Sequence, residues 1–254
     1  MPNKELYEAI YKRKSFHLFR NVGEEKLSAE ELADIVSAFE SFEPLYPDIR
    51  TRLRVVPAEE TNYKGGAEYC LYIYSEKKDN YLQNAGYLGE QLDLYLVSKG
   101  IGSLWYGLGK TEEKTLDGLD YVIMMPIRRV DSADKFRRDM FKAKRKAVSD
   151  IWSGEAIPGV TDIARFSPSA CNSQPWYAER KDNTLKVWRY RKAGRVGILT
   201  QSAALYFNRI DIGIYLCILE LCFAHEGIST ERKLFDDPGS ELEMTLVAEY
   251  TIKE

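Results

Sequence analysis

Residues 166 to 176 read Phe-Ser-Pro-Ser-Ala-Cys-Asn-Ser-Gln-Pro-Trp. Pro168 and Pro175 would break the ladder of a core strand or helix, and the polar side chains between them would need partners if buried. Asn172, Ser173 and Gln174 set donors and acceptors close together, while the two prolines restrict the backbone. A preorganised binding loop is built this way, and so is a capped turn between a helix and a strand. Val160 to Arg165 read as helical, so the stretch leaves a helix end.

Working outward, Thr184 to Tyr190 alternate as a strand, Asp211 to Ala224 form a nearly all-apolar helix, and Glu241 to Ile252 close the chain with a strand. On the other side lies a basic run, Phe136 to Lys146, of the kind that is usually a solvated face. Before it come a short strand at Tyr121–Pro126 and a glycine-rich stretch, Gly100 to Gly109. Lacking the G-x-G-x-x-G spacing after a strand, that stretch is not a dinucleotide fingerprint. Asn80 to Lys99 carry Ala85, Leu88, Leu92, Tyr95 and Leu96 at helical spacing and end on Gly100. Ala67–Ser75 reads as a strand, Glu43–Arg54 as a loop passing into one, and Ser28 with Glu31 as a capping box opening a helix to Phe39. Lys4 to Arg13 form an amphipathic helix whose end runs into Arg13, Lys14, Ser15 and His17. Such a cluster suits a phosphate, and equally a solvated cationic helix end.

The two long helices end alike, at Gly100-Ile101 and Gly227-Ile228, 127 positions apart. At that offset Gly86 meets Gly213, Leu92 meets Leu219 and Leu94 meets Leu221; one position off register, Asp34-Ile35 meets Asp162-Ile163. The chain thus reads as two diverged copies of one α+β unit, residues 1–130 and 131–254, folded into one compact domain.

Pro168, Ser169, Asn172, Gln174, Pro175 and Trp176 match the PSxxNxQPW loop of the flavin-dependent nitroreductases, and the chain resembles that family. Arg13, Ser15 and Phe19 match its basic R-x-S-x-[RK]-x-F signature, with His17 where the family has a cation. Gly100 to Gly107 match its G-[LI]-G-[ST]-x-W-x-G segment, and Arg145 to Ile151 its R-K-x-[LV]-x-[ED]-[IV] pattern. The helix at Asn84–Leu96 and the N-x-I-D-I-G-I start at Asn208–Ile214 are similar to the "putative TM nitroreductase" subgroup over essentially the whole length. After Pro126 this chain has Ile-Arg-Arg where the family has a Gly-Lys/Tyr-Pro turn.

The resemblance implies an α+β nitroreductase-like fold with antiparallel-rich sheets and an FMN site. Arg13, Lys14, Ser15, His17 and Arg145 would hold the phosphate. Ser103, Trp105, Tyr106 and Gly107 would run along the flavin, with the Gly107 N–H near N5. Pro168, Ser169, Ala170, Asn172 and Gln174 would line the ring and ribityl chain. NADH or NADPH would be the co-substrate, and a small nitroaromatic or quinone-type acceptor would be reduced in a ping-pong cycle. Ordinary members build each site from two subunits. Here the basic signature lies in the first copy and the loop in the second, which implies an internal pseudo-dimer with one site per chain and a monomer, with a homodimer as the alternative. A flavin-binding or storage protein without turnover, and a flavin-dependent dehalogenase or ene-type reductase, are the competing readings.

Composition agrees with a small-molecule enzyme: 44% hydrophobic and 30% charged residues, with a net charge of −3 that gives no reason to expect nucleic acid as a partner. No Ser-His-Asp set or carboxylate pair stands out, and two histidines make no zinc constellation. Cys70, Cys171, Cys217 and Cys222 form no CxxC pair and read as reduced core thiols of a cytoplasmic protein. The N-terminus lacks an apolar signal core, and Ile210–Ala224 is too short and too charged to span a bilayer, so no membrane association is expected.

Overall fold

The computed structural model describes residues 2–190, 197–239 and 242–253. The N-terminal stretch is a 3₁₀ turn, Lys4–Leu6, running into helix α1, Tyr7–Lys12. Helix α2, Ala29–Ser41, opens on the expected capping box, with the Ser28 side chain accepting from the Glu31 N–H and the Glu31 carboxylate accepting from the Ser28 N–H. Strands β1 (Thr51–Pro57) and β2 (Tyr69–Ser75) then form an antiparallel pair. Helix α3, Tyr81–Ser98, follows, then β3 (Ile101–Ser103), β4 (Thr115–Leu116) and β5 (Leu119–Arg129). Their sheet has the order β1-β2-β5-β3, with β4 also on β5.

The second half has single-turn helices α4 (Val148–Ile151) and α5 (Thr161–Ala164) and a short strand β6 (Trp152–Ser153). Strands β7 (Trp176–Lys181) and β8 (Thr184–Tyr190) pair antiparallel, helix α6 spans Gln201–His225, and β9 (Thr230–Leu234) and β10 (Met244–Ile252) complete a sheet of order β6-β7-β8-β10-β9. Strand pair, long helix and strand pair thus recur in one sequence order, and the sheets share one spatial order, β1-β2-β5-β3 against β7-β8-β10-β9.

Helices α3 and α6 pack on each other at the centre, and most of their residues are buried. A helix buried on nearly all sides shows little apolar stripe, so sequence periodicity fixes its ends poorly. Accordingly, α6 starts ten residues before Asp211, capped by the Thr200 hydroxyl, which accepts from the Ala203 N–H. Gly100 and Gly227, each two residues past the last residue of its helix, take φ of +71° and +69°, the left-handed turn glycine allows.

Strand β5 is longer than the expected Tyr121–Pro126 and carries Pro126 inside the sheet. The ring is tolerated because the Pro126 carbonyl, and with it the missing N–H, faces the side where β3 has already ended; Leu104 donates to that carbonyl at 3.1 Å. The expected closing strand begins at Met244, and Glu241 lies outside the described residues. Strands β7 and β9 have no counterpart in the sequence reading. Their alternation is confined to short charged segments, WYAERK and TERKL. Among the described residues no helix is long and apolar enough to cross a membrane.

Candidate active site

A cavity of about 630 Å³ opens between the two halves, within the range of small-molecule pockets. The first half contributes Arg13 to His17 and Leu104 to Leu108; the second contributes Arg137, Arg145, Pro168 to Asn172, Ile198, Leu199 and the α6 face with Phe207, Ile210, Asp211 and Ile214. Lys14, Ser15, Trp105, Tyr106, Gly107, Ser169 and Ala170 are all on its wall. Of the expected residues only Ser103 and Gln174 are not.

Ser103 is fully buried and donates its hydroxyl to Asp93 on α3, so its side chain turns away from the cavity. Its backbone does the positioning instead: the Phe16 N–H donates to the Ser103 carbonyl at 3.0 Å, which ties the basic signature to the glycine-rich segment. Asp93 also accepts from Arg13 Nε at 2.6 Å and from Trp105 Nε1 at 3.2 Å. One buried carboxylate therefore orients three residues of the site, and the sequence reading did not include it.

Arg13 differs from the expected free phosphate ligand. Its guanidinium is buried, pairs with Asp93, and lies 3.7 Å from Glu90. Burial opposes the charge on Arg13, but the contact with Asp93 outweighs it and holds the pKa above the ordinary arginine value. What remains for a ligand is the outer edge, where Nη2 approaches the Ser15 hydroxyl at 3.4 Å. Lys14 is exposed and donates to the Lys135 carbonyl at 2.8 Å; His17 is exposed, and its carbonyl accepts from the Tyr63 hydroxyl at 2.9 Å.

The basic run is only in part a solvated face: Arg138, Lys142 and Lys144 are exposed, while Arg137, Arg145 and Lys146 are half-buried. Arg145 donates to Asn172 Oδ1 at 3.1 Å and to the Phe166 carbonyl at 3.0 Å. Lys146 donates to the Gln174 carbonyl through Nζ at 2.9 Å and, through its N–H, to Gln174 Oε1 at 2.8 Å. Gln174 is therefore a buried brace between the run and the loop. Arg137, absent from the sequence reading, donates Nε to the Arg13 carbonyl at 2.9 Å and reaches the same cavity. Its signal was present in the charge run, but three consecutive basic clusters gave no means of choosing among them.

The cations are left short of charge. Burial, then Arg13, Arg137 and Arg165, pull the Arg145 pKa down to about 10, and its Nε has no hydrogen-bond partner among the described residues. Burial and Arg13 likewise lower Arg137. Arginines that repel one another in a partly buried pocket can serve as donors to an anion.

The loop is held in a costly shape. Cys171, Asn172 and Gln174 have φ of 50°, 53° and 49°, and the left-handed region disfavours side chains other than Asn, Asp and Gly by about 1–2 kcal/mol each. Ser169 accepts from the Gln174 N–H at 2.9 Å, and Trp176 is fully buried, stacked on Tyr215 at 4.9 Å between centroids. Strain of this kind collects at ligand clamps. Cys171 is exposed on the cavity wall, which corrects the reading of all four thiols as core; Cys70, Cys217 and Cys222 are buried and free.

At the other end the wall is aromatic and apolar. A Cβ on Gly107 would fall 2.7 Å from the Phe207 ring, so glycine is what lets this turn run flush against α6. Leu108 and Ile198 form an exposed apolar lip. A cationic end, an aromatic and apolar end, and a strained polar loop along one side fit a planar ring system carrying a phosphate.

No curated protein matches the chain. Among solved structures it is similar to a protein described as a "putative nitroreductase" from Thermotoga maritima, at 18% identity over 97% of this chain and 92% of that one, with a TM-score of 0.62, which shows a shared fold. Smaller likenesses include a nitroreductase family protein from Clostridium difficile, at 14% identity over 62% of this chain and all of that one, TM-score 0.46. Another is a nitroreductase in complex with FMN from Desulfovibrio desulfuricans, at 16% over 60% of this chain and 98% of that one, TM-score 0.41. The family model described as "Putative TM nitroreductase" matches residues 5–223. With that match and the shared fold, the chain belongs to the TM nitroreductase family.

Proposed function

We propose that the cavity binds FMN and that the protein is a flavin-dependent oxidoreductase taking electrons from NADH or NADPH and passing them to a small acceptor of the nitroaromatic or quinone type. The observation that carries this reading is the pair Arg137 and Arg145, whose hydrogen bonds include no carboxylate among the described residues, beside the outer edge of Arg13 at one end of a cavity whose other end is aromatic. When bound, FMN supplies hydride transfer between the nicotinamide and the acceptor.

The residues of this chain bind and orient. Arg137 and Arg145, with the outer edge of Arg13, Lys14 and the Ser15 hydroxyl, would hold the phosphate, each charge-assisted bond contributing about 1.5–3 kcal/mol. His17, exposed and without a fixed partner for its ring among the described residues, plays the lesser part, and Arg137 takes its place. Trp105, Tyr106 and Gly107 would flank the ring on one side, and Pro168, Ser169, Ala170 and Asn172 on the other, with Ser103 and Gln174 bracing those walls from behind. Leu108, Ile198 and Phe207 would exclude water from the acceptor's position and favour flat apolar molecules.

The same reading takes residues 1–130 and 131–254 as two copies of one unit forming an internal pseudo-dimer, each supplying the part of the site that the other lacks. The common sheet order and the matched glycines of α3 and α6 support it. Residues 137–146 lie against the N-terminal segment of the first copy, with the Arg137 N–H donating to the Lys12 carbonyl at 3.0 Å, so the copies interlock rather than merely touch.

Absorbance of the purified protein tests the proposal. A flavin spectrum, restored by added FMN after stripping and bleached anaerobically by NADH or NADPH, is the expected result. A flavin spectrum that neither nicotinamide bleaches would favour a binding or storage protein, and failure to take up FMN would refute the cofactor.

A further inference from the structure

Asp211 is the one carboxylate among the described residues lining the cavity, and nothing in the proposed phosphate cradle uses it. It lies on α6, only 3% exposed; its Oδ1 accepts from the Ala170 N–H at 3.0 Å, and its Oδ2 lies 3.4 Å from the Ser173 hydroxyl, which donates to an ionised carboxylate and can accept from the neutral acid. Both partners are in the strained loop, so the carboxyl fastens the loop to the central helix. Asn84 occupies the matching place on α3, 127 positions earlier, and its Oδ1 accepts from the Tyr46 N–H at 3.0 Å. The copy without the loop motif makes the same fastening with an uncharged group.

We propose that Asp211 is a positioning residue of the site, fastening the Pro168–Gln174 loop as a neutral acid, and that its ionisation opposes occupancy of the cavity by an anion. The claim rests on the flavin reading for the identity of that anion. Burial drives the carboxyl's pKa up to about 8, while the Ala170 N–H and the Ser173 hydroxyl pull only weakly the other way. The charged groups around it do not neutralise it. Arg209, two residues away on α6, borders the opposite groove; Arg13, Lys14, His17 and Arg137 line the cationic end of the cavity; Arg145 donates to Asn172 and to the Lys144 and Phe166 carbonyls; Asp93 on α3 pairs with Arg13, and Glu90 lies 3.7 Å from it. A buried carboxyl without a cation holds its proton, and a second negative charge in the cavity holds it harder. Affinity for the anion must then fall as pH rises through the carboxyl's pKa, because the free protein releases the proton before the complex does.

The test is the pH dependence of FMN affinity, by flavin fluorescence, for the wild type and for Asp211→Asn and Asp211→Ala, together with the titration of carboxyl-labelled aspartates in the unliganded protein. Wild-type affinity should fall about tenfold between pH 7 and pH 9.5. Asp211→Asn, which keeps the acceptor as Asn84 does, should bind equally at both pH values. Asp211→Ala should bind more weakly at both. The unliganded protein should show one aspartate titrating far above the rest, absent from both variants. An Asp211 that titrates with the other aspartates, or an Asn variant that keeps the wild-type pH profile, overturns the proposal. Wild-type protein that binds no FMN at any pH refutes the flavin reading and the coupling with it, while the labelled titration still decides whether Asp211 is neutral.

Discussion

Gly86 and Gly213 face each other's helices through matched contacts. A Cβ on Gly86 would fall 2.1 Å from the Ile210 carbonyl oxygen, and one on Gly213 would fall 1.9 Å from that of Gln83. Gln83 and Ile210 are separated by the same 127 positions as the glycines. The crossing of α3 and α6 is thus a two-sided backbone contact, as the meeting of two like helices about a twofold axis would be.

Gly86→Ala and Gly213→Ala should therefore each destabilise the protein, by about 1–3 kcal/mol, because backbone cannot yield as a side-chain end can. Both should do so to a similar extent. Urea denaturation midpoints check this, and a loss confined to one of the two would contradict the reciprocal contact.

Arg13 and Arg137 should separate binding from stability. Arg13→Ala strands Asp93 without its cation and should cost about 3–5 kcal/mol of stability, besides weakening FMN binding at least tenfold. Arg137→Ala leaves no buried acid unpaired. It should weaken FMN by a similar factor, leave riboflavin binding unchanged and barely move the melting temperature. Equal loss of riboflavin would place Arg137 elsewhere than at the phosphate.

Glu90 is fully buried, and neither of its carboxyl oxygens has a hydrogen-bond partner among the described residues. Burial raises its pKa well above the ordinary value, with Arg13 pulling the other way. The folded protein then keeps a proton that the unfolded chain releases, so the stability present below about pH 4.5 is lost as pH rises toward the folded pKa. Glu90→Gln removes that loss and should stabilise the protein by about 1 kcal/mol or more at pH 8, with no gain at pH 4. A stability difference that is flat between those pH values would show that Glu90 is ionised in the fold.

One complete set of parts per chain predicts one FMN per chain. Flavin released from acid-precipitated protein, set against protein concentration, gives the ratio, and a value near two would count against the fused arrangement.

The loop motif, the basic signature and the glycine-rich segment were legible because each depends on residue types with narrow backbone or hydrogen-bonding uses: Pro at 168 and 175, Gly at 107, Asn at 172. The cationic end was harder. Arg13 reads as a free phosphate ligand because nothing in the Lys12-Arg13-Lys14-Ser15 cluster signals that Asp93, 80 positions later, will take its Nε. Arg145 was marked by its motif, but Arg137 sits in a run of charges where nothing local distinguishes the buried from the solvated. Short edge segments such as TERKL carry too few apolar residues to announce a strand.

By itself, then, the sequence determined the helical spacing of α3, the apolar content of α6, the glycines that end both helices and the loop chemistry, all of which follow from propensity and pattern within a few residues. The tertiary structure alone decided which charges are paired, which are neutral and which face the cavity. Those outcomes depend on desolvation and on partners brought together from distant positions: Asp93 against Arg13, Gln174 against Lys146, Asp211 against Ala170. A charge costs little in water and several kcal/mol when buried without a partner, and only the folded chain determines which of the two applies.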